Sequence, residues 1–190
     1  MSRKPSYDRD VVIRRACFMF WKRGWAGTSL KDLESTLNLN PGSFYAAFGS
    51  KDALYKLALD QYVSDNLATL TDLEQSHGPL GALKAFLHHV IEDKTAAAQA
   101  CMLSKTVLEL STHAHPLADH ANELLVGVEK YFESLFGKAQ AREQIGAAHN
   151  PDSLARRYMS DLLGMRISAE RSSSGASATA YEIEKSLSRL

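Results

Sequence analysis

Cysteine, proline and the β-branched aliphatics are scarce in this chain of 190 residues, and each scarcity excludes something. Two cysteines, Cys17 and Cys101, are too few for a disulfide scaffold, although one bridge stays open. The longest apolar run, Ala16 to Trp21, is six residues and far short of a membrane span. Nothing apolar follows the basic residues of the opening MSRKPSYDRD, so a signal peptide is not expected and the chain reads as soluble and cytoplasmic. Valine and isoleucine number 12 against 50 alanines and leucines, which removes the usual stock of strands and favours helices. Apolar residues recur at spacings of three and four, and no segment alternates over a strand's length. The expected fold is all-α.

Net charge is also absent: 22 Lys and Arg face 22 Asp and Glu. The balance is an average over two unlike parts. Residues 1–51 hold nine basic and four acidic side chains, a net of +5, and residues 52–190 hold 13 and 18, a net of −5. An anion-binding head on an acidic body is the implied division, with domains at 1–51 and 52–190.

Local signals divide the head into short helices. Ile13, Ala16, Cys17, Phe20 and Trp21 form the stripe of a first helix, from about Ser6 or Asp8 to Arg23, which Gly24 ends. Thr28 or Ser29 caps a second helix, with Asp32 placed as the acidic member of a capping box. Asn38 suits a left-handed turn. Asn40 caps a third helix with Pro41 in its first turn, Gly49 stops it, and Ser50 caps a fourth. Two short helices joined by a tight turn behind a supporting helix are the arrangement that lays a recognition helix in a DNA major groove. Periodicity alone fits an ordinary small bundle equally well.

The segments Gly24-Trp25-Ala26-Gly27-Thr28-Ser29-Leu30-Lys31-Asp32-Leu33 and Asn40-Pro41-Gly42-Ser43-Phe44-Tyr45-Ala46-Ala47-Phe48-Gly49-Ser50-Lys51-Asp52-Ala53-Leu54 resemble the N-terminal domain of TetR-type (TetR/AcrR) transcriptional regulators. The resemblance covers about residues 9 to 60; the remainder is similar in length and helical pattern. It implies a three-helix helix-turn-helix DNA-binding domain followed by a helical ligand-binding and dimerisation domain, about nine helices in all. It also implies a homodimer that binds double-stranded operator DNA as a repressor and is released by a small-molecule effector. Thr28, Ser29, Asn40, Pro41, Gly42, Ser43, Tyr45, Ala46, Ala47 and Lys51 are the expected DNA-side residues. Helix N-termini and Lys51 suit phosphate, Tyr45 reaches a phosphate from the bundle surface, and Ala46 and Ala47 offer only apolar contact, for instance to a thymine methyl. Arg3, Lys4 and Arg9 form a basic arm. The chain departs from the family at Leu33-Glu34, where Ile-Ala is usual, at Asn38 for glycine, at Pro41 for a frequent lysine and at Ala47 for a histidine. The recognition surface is less polar than in relatives, so their target sequence cannot be transferred.

For the body, the pattern predicts helices near 51–73, 79–93, 97–111, 116–137, 152–171 and 178–189, with 138–151 undecided. The resemblance implies that the last two pair with their copies, through Leu154, Tyr158, Leu162, Met165, Ile183, Leu187 and Leu190. It also places an effector pocket among the body helices. Candidates are Phe86, His89, Cys101, Met102, Leu103, Val107, Leu124, Val128 and Tyr131, for each of which plain core packing is the alternative. Cys101 near a helix start also fits a thiol-based redox or electrophile sensor, again with a buried core residue as the alternative. His113, His115 and His120 lack the spacing of a metal site, and neither a nucleophile signature nor a phosphate-cradling glycine loop is present, so no metal, cofactor or enzymatic activity is expected.

Overall fold

Asp8 opens the first helix by accepting hydrogen bonds from the amides of Asp10 and Val11. The computed structural model describes residues 8–190, apart from the side chains of residues 173 and 174. Eight α-helices account for most of these residues, and no strand occurs among them: α1 (Arg9–Arg23), α2 (Leu30–Leu37), α3 (Pro41–Phe48), α4 (Lys51–Glu92), α5 (Met102–Leu110), α6 (Pro116–Ala141), α7 (Pro151–Arg171) and α8 (Ser173–Leu187). A short 3-10 turn, Ser111–His113, follows α5. α4 is two arms: Gly78 takes φ 73°, ψ 175°, because Pro79 disfavours helical geometry before it and has no N–H to continue the ladder. The all-α expectation holds, and the break at Gly78 gives nine straight segments among the described residues.

The head's punctuation is local chemistry. Gly24 at φ 77° ends α1, Ser29 and Asp32 form a reciprocal capping box on α2, and Asn38 ends α2 in the left-handed region at φ 55°, ψ 46°. Asn40 then accepts from the Ser43 amide to start α3, with Pro41 in its first turn, and Ser50 accepts from the Ala53 amide to start α4.

Several body boundaries differ from expectation. The alanine-rich stretch 97–101 is not helical, and α5 begins only at Met102. Tertiary partners hold that backbone instead. The Glu170 carboxylate accepts from the amides of Gln99 and Ala100, at 2.7 and 3.0 Å, the Arg166 Nε donates to the Gln99 carbonyl, and the Trp21 indole donates to that of Ala100. α4 continues past residue 73 to the Gly78 break, α6 runs on to Ala141, and the serine-rich break narrows to Ser172 with α8 resuming at once.

Packing forms two core clusters. One joins Ala16, Phe20, Leu33, Phe44 and Phe48 of the head to Leu54, Tyr55 and Leu59 of α4 and Met102 and Leu110 of α5. The other joins Leu70, Leu83, Phe86 and Leu87 of α4 to Phe132 and Phe136 of α6 and to Tyr158, Leu162 and Met165 of α7. Tyr158, Leu162, Met165 and Leu187 are therefore buried within the chain rather than offered to a partner copy, and Leu154, Ile183 and Leu190 are half-buried against the same core. The large apolar side chains that point outward from α7 and α8 are Ile167, 47% exposed, and Tyr181, 60% exposed. Four of the seven expected interface residues thus turn into the chain's own core, while Leu154, Ile183 and Leu190 keep part of their surface open.

Candidate functional site

α3 is held from behind and open in front. Phe44 and Phe48 are buried in the core, while Pro41, Gly42, Tyr45 and Ala46 face solvent and Ser43 and Ala47 are half-buried. Tyr45 is 50% exposed and set edge-on to Phe44 at 5.6 Å between ring centroids, so its ring rests against a core residue and half of its surface stays open to solvent. Asn40 is exposed but its side-chain oxygen is engaged by the Ser43 amide at 2.8 Å. At the start of α2, Ser29 is exposed and paired with Asp32. The Ser29 hydroxyl and amide hold the Asp32 carboxyl below its ordinary range.

Three expected contacts sit elsewhere. Thr28 is buried, and its hydroxyl donates to the Gly24 carbonyl at 2.8 Å, so its side chain closes the α1–α2 loop rather than facing a phosphate. The Lys51 ammonium donates to the carbonyls of Trp25 and Thr28, at 3.0 and 3.2 Å, and lies 3.8 Å from the centre of the Trp25 ring. Partial burial lowers its pKa. Lys51 is a clip between α4 and the α1–α2 loop. Arg9 donates to the Ala47 carbonyl at 3.0 Å and lies over the Phe48 ring, so it caps the C-terminal end of α3 instead of trailing as an arm. Arg3 and Lys4 lie outside the described residues.

The head is fastened to the body at defined points. The Glu109 carboxylate accepts from the amides of Trp25 and Ala26, at 3.0 and 2.8 Å. Gly24 allows this approach, because a Cβ there would come within 2.7 Å of a Glu109 oxygen. The Trp25 indole donates to Asp52, which His115 also approaches at 3.5 Å. Lys105 donates to the Trp21 carbonyl at 2.7 Å.

Two adjoining cavities lie behind these fastenings. The outer one, about 200 Å³ and partly open to solvent, is walled by Cys17 and Trp21 of α1, by Asp65, Thr69, His89 and Val90 of α4, and by Asp93, Thr95 and Ala96 beyond it. The inner one, with room of only about 30 Å³, is walled chiefly by apolar groups that include Leu70, Phe86, Cys101, Val128, Phe132, Met159 and Leu162. Tyr62, Asn66 and Arg166 belong to both walls. Of the expected pocket residues, Phe86, Cys101 and Val128, with Leu103, meet in the inner cavity, and His89 lines the outer one. Met102 is core, and Val107 and Leu124 pack against the first cluster. The Tyr131 hydroxyl pairs with Thr71 at 3.1 Å.

Arg166 and Tyr62 were missed in the sequence. Arg166 is only 4% exposed, and beyond its Nε bond to Gln99 its guanidinium has no hydrogen bond or ion pair among the described residues. It lies 5.7 Å from the centre of the Trp21 ring. The Tyr62 hydroxyl is buried beside the Cys101 thiol without a well-aligned hydrogen bond, and burial raises its pKa. Burial also pushes the Cys17 thiol up to about 12, as expected of a core cysteine. Both cysteines are free. No helix among the described residues is long and apolar enough to cross a membrane, and no three of their His, Cys, Asp and Glu side chains cluster as a metal site would.

Residues 12–58 match the family model described as bacterial regulatory proteins, tetR family. The HTH-type transcriptional repressor ComR of Escherichia coli is 26% identical over 177 residues, which cover 90% of this chain and 84% of that protein. The uncharacterized HTH-type regulator YezE of Bacillus subtilis is 26% identical over 165 residues, 84% of each. A TetR-family regulator from Cytophaga hutchinsonii superposes with a TM-score of 0.84 at 21% identity, over 94% of this chain and 92% of that one. A cysteine mutant of the TetR-family regulator CifR, solved on a 26-bp double-strand operator, superposes with a TM-score of 0.83 at 22% identity, over 97% and 98%. From the head's capped helices to the last helix pair the architecture is shared with these solved TetR-family regulators, and residues 12–58 carry the head that the tetR family model describes.

Proposed function

We propose that the protein is a homodimeric, effector-responsive DNA-binding repressor rather than an enzyme. Residues 1–51 act as the reading head, and residues 52–190 bind the effector and the partner copy. The observation that carries the reading is α3: one face is locked by Phe44 and Phe48, and the other presents Gly42, Ser43, Tyr45 and Ala46 on the positively charged part of the chain. Such a helix enters a major groove with its first turn against the bases, and two heads of a dimer read half-sites about 34 to 36 Å apart. Relatives named as repressors, and the operator complex of CifR, support the same reading. The outward Ile167 and Tyr181 mark the α7–α8 face on which a second copy would pack.

The effector acts because the outer cavity is walled partly by α1 of the head and partly by α4 and α7 of the body. A ligand there shifts the head only if it binds the released arrangement more tightly than the operator-bound one. A thiol-sensing reading through Cys101 is not favoured, since that thiol is buried in the cavity wall and serves as part of its apolar lining.

Operator fragments selected from random duplex DNA provide the test. Tyr45→Ala alters an exposed side chain and leaves the melting temperature in place, while operator affinity falls by about 10- to 100-fold, as loss of a charge-assisted phosphate bond requires. Unchanged affinity in a folded Tyr45→Ala protein overturns the placement of α3 on DNA.

A further inference from the structure

The two cavities differ in chemistry, and their shared wall sets what they hold. The inner chamber is apolar, lined by Leu70, Phe86, Val128, Phe132, Met159 and Leu162. At its junction with the outer chamber stand Arg166, 4% exposed, and Tyr62, 5% exposed. Both present donors without acceptors: the terminal guanidinium nitrogens have no hydrogen bond among the described residues, and the Tyr62 hydroxyl has none of good geometry. A buried, unpaired cation is costly, and an anion placed against it recovers much of that cost. A neutral carbonyl would satisfy the hydrogen bonds and leave the charge only the through-space attraction of Glu170, with which it forms no ion pair.

Carboxylates already nearby do not fill this role. Glu170, one turn along α7, is engaged by the amides of Gln99 and Ala100. In the outer cavity, Asp93 is held by the amide and hydroxyl of Thr95, and Asp65 is exposed and accepts from Gln61. None forms an ion pair with Arg166.

We propose that the effector is a small amphipathic carboxylic acid, with its carboxylate on Arg166 and Tyr62 and its hydrocarbon part in the inner chamber. The assignment rests on reading the cavity pair as the effector site. Arg166 forks onto the two carboxylate oxygens and the Tyr62 hydroxyl donates to one of them, while the apolar chamber, with room of only about 30 Å³ when empty, opens on its Phe86–Phe132 side to cover an alkyl chain or a single aromatic ring. Asp65 and Asp93 stand at the more solvated side and disfavour a second negative charge, so a monocarboxylate is selected over a dicarboxylate.

The test uses the full-length protein and a matched probe set: octanoate and phenylacetate, their amides octanamide and phenylacetamide, and octanedioate. Binding is read by calorimetry and by the rise in melting temperature. At least one monocarboxylate is expected to bind at least tenfold more tightly than its amide and than octanedioate. Tyr62→Phe is expected to weaken that acid by about tenfold, and Arg166→Lys, which keeps the charge and loses the fork, by about ten- to 100-fold. Either variant's melting temperature without probe shows whether the fold is intact; should Arg166→Lys fail to fold, Tyr62→Phe and the acid–amide comparison still decide. Amides binding as well as or better than acids overturn the anion assignment and leave the effector chamber standing. If no probe binds, the acid assignment falls together with the chamber.

Discussion

Replacing Lys51 by methionine separates two roles that the same residue can play. As a phosphate ligand it would contribute to DNA binding and little to stability; as the clip seen here it should do the reverse. Methionine keeps the aliphatic stem and removes the ammonium, with its two bonds to the Trp25 and Thr28 carbonyls and its position over the Trp25 ring. Hydrogen bonds to a charged group contribute about 1.5–3 kcal/mol each when well buried. This ammonium is partly solvated, so about 1 kcal/mol each is the appropriate figure. The cation–π contact adds about 0.5–1 kcal/mol. The total is about 2–3 kcal/mol, and at about 2–4 °C per kcal/mol for a chain of this size the melting temperature should fall by about 5–10 °C. Circular dichroism melts at matched protein concentration measure it, since a dimer's stability depends on concentration. Affinity for non-specific duplex DNA against salt supplies the second reading, and its slope should hold. A slope reduced by about one with an unmoved melting temperature would refute the clip and restore the lysine to the phosphate backbone.

Two further outcomes follow from local chemistry. Ser29→Ala removes the hydroxyl that accepts from the Asp32 amide and donates to its carboxylate, leaves the Ser29 amide bonded to Asp32, and should cost about 0.5–2 kcal/mol in urea unfolding, whereas Ser29→Asn should recover most of it; equal stabilities of all three proteins would show that the side-chain cap is idle. Glu170 has its pKa lowered first by the Ala100 amide and then by that of Gln99, with Lys105 and Arg166 assisting. Its folded value lies below the unfolded one, so its stabilisation is complete above the ordinary carboxylate value of about 4.3 and is lost as pH falls through the lowered folded value. The gap in melting temperature between wild type and Glu170→Gln should therefore be constant near neutrality and close in acid, and a gap that persists there would falsify the assignment.

The head was legible because its signals are local. Ser29 with Asp32, Asn38 in the left-handed turn and Asn40 before Pro41 act within a few residues, and each takes its expected place. The body's errors come from partners far away in sequence. Alanine-rich 97–101 reads as helix by propensity, yet Glu170, Arg166 and Trp21 take up its backbone groups. Tyr158, Leu162 and Met165 share a face that periodicity finds easily, but periodicity cannot say whether that face meets this chain's core or another copy. Lys51 looks like a surface cation because its carbonyl partners lie 26 and 23 residues earlier. Arg166 gave no signal. On an otherwise ordinary amphipathic helix an arginine reads as solvated, and its burial depends on Trp21 and on Gln99, 67 residues away.

Trp21 is where the cavities and the head share a residue. Its ring lies under the Arg166 guanidinium and meets Tyr62 edge-on at 5.1 Å, its indole N–H is fixed by Ala100, and its carbonyl is fixed by Lys105. Three residues further along α1, Gly24 ends the helix against Glu109, and the next two amides are bound by that carboxylate. An anion on Arg166 and Tyr62, as proposed, would therefore act on two groups that contact the ring of Trp21, while the fastenings on either side of the ring tie α1 to α5 and to the loop before it. The ring belongs to α1, on which α2 is packed through the core. Coupling follows if the two arrangements of Trp21 differ in their affinity for the anion, and the size of that difference limits how far the effector can shift the head. The same geometry explains why an apolar ligand confined to the inner chamber should be a poor inducer: it would reach Tyr62 and Arg166 without an anion to engage them and would not touch Trp21.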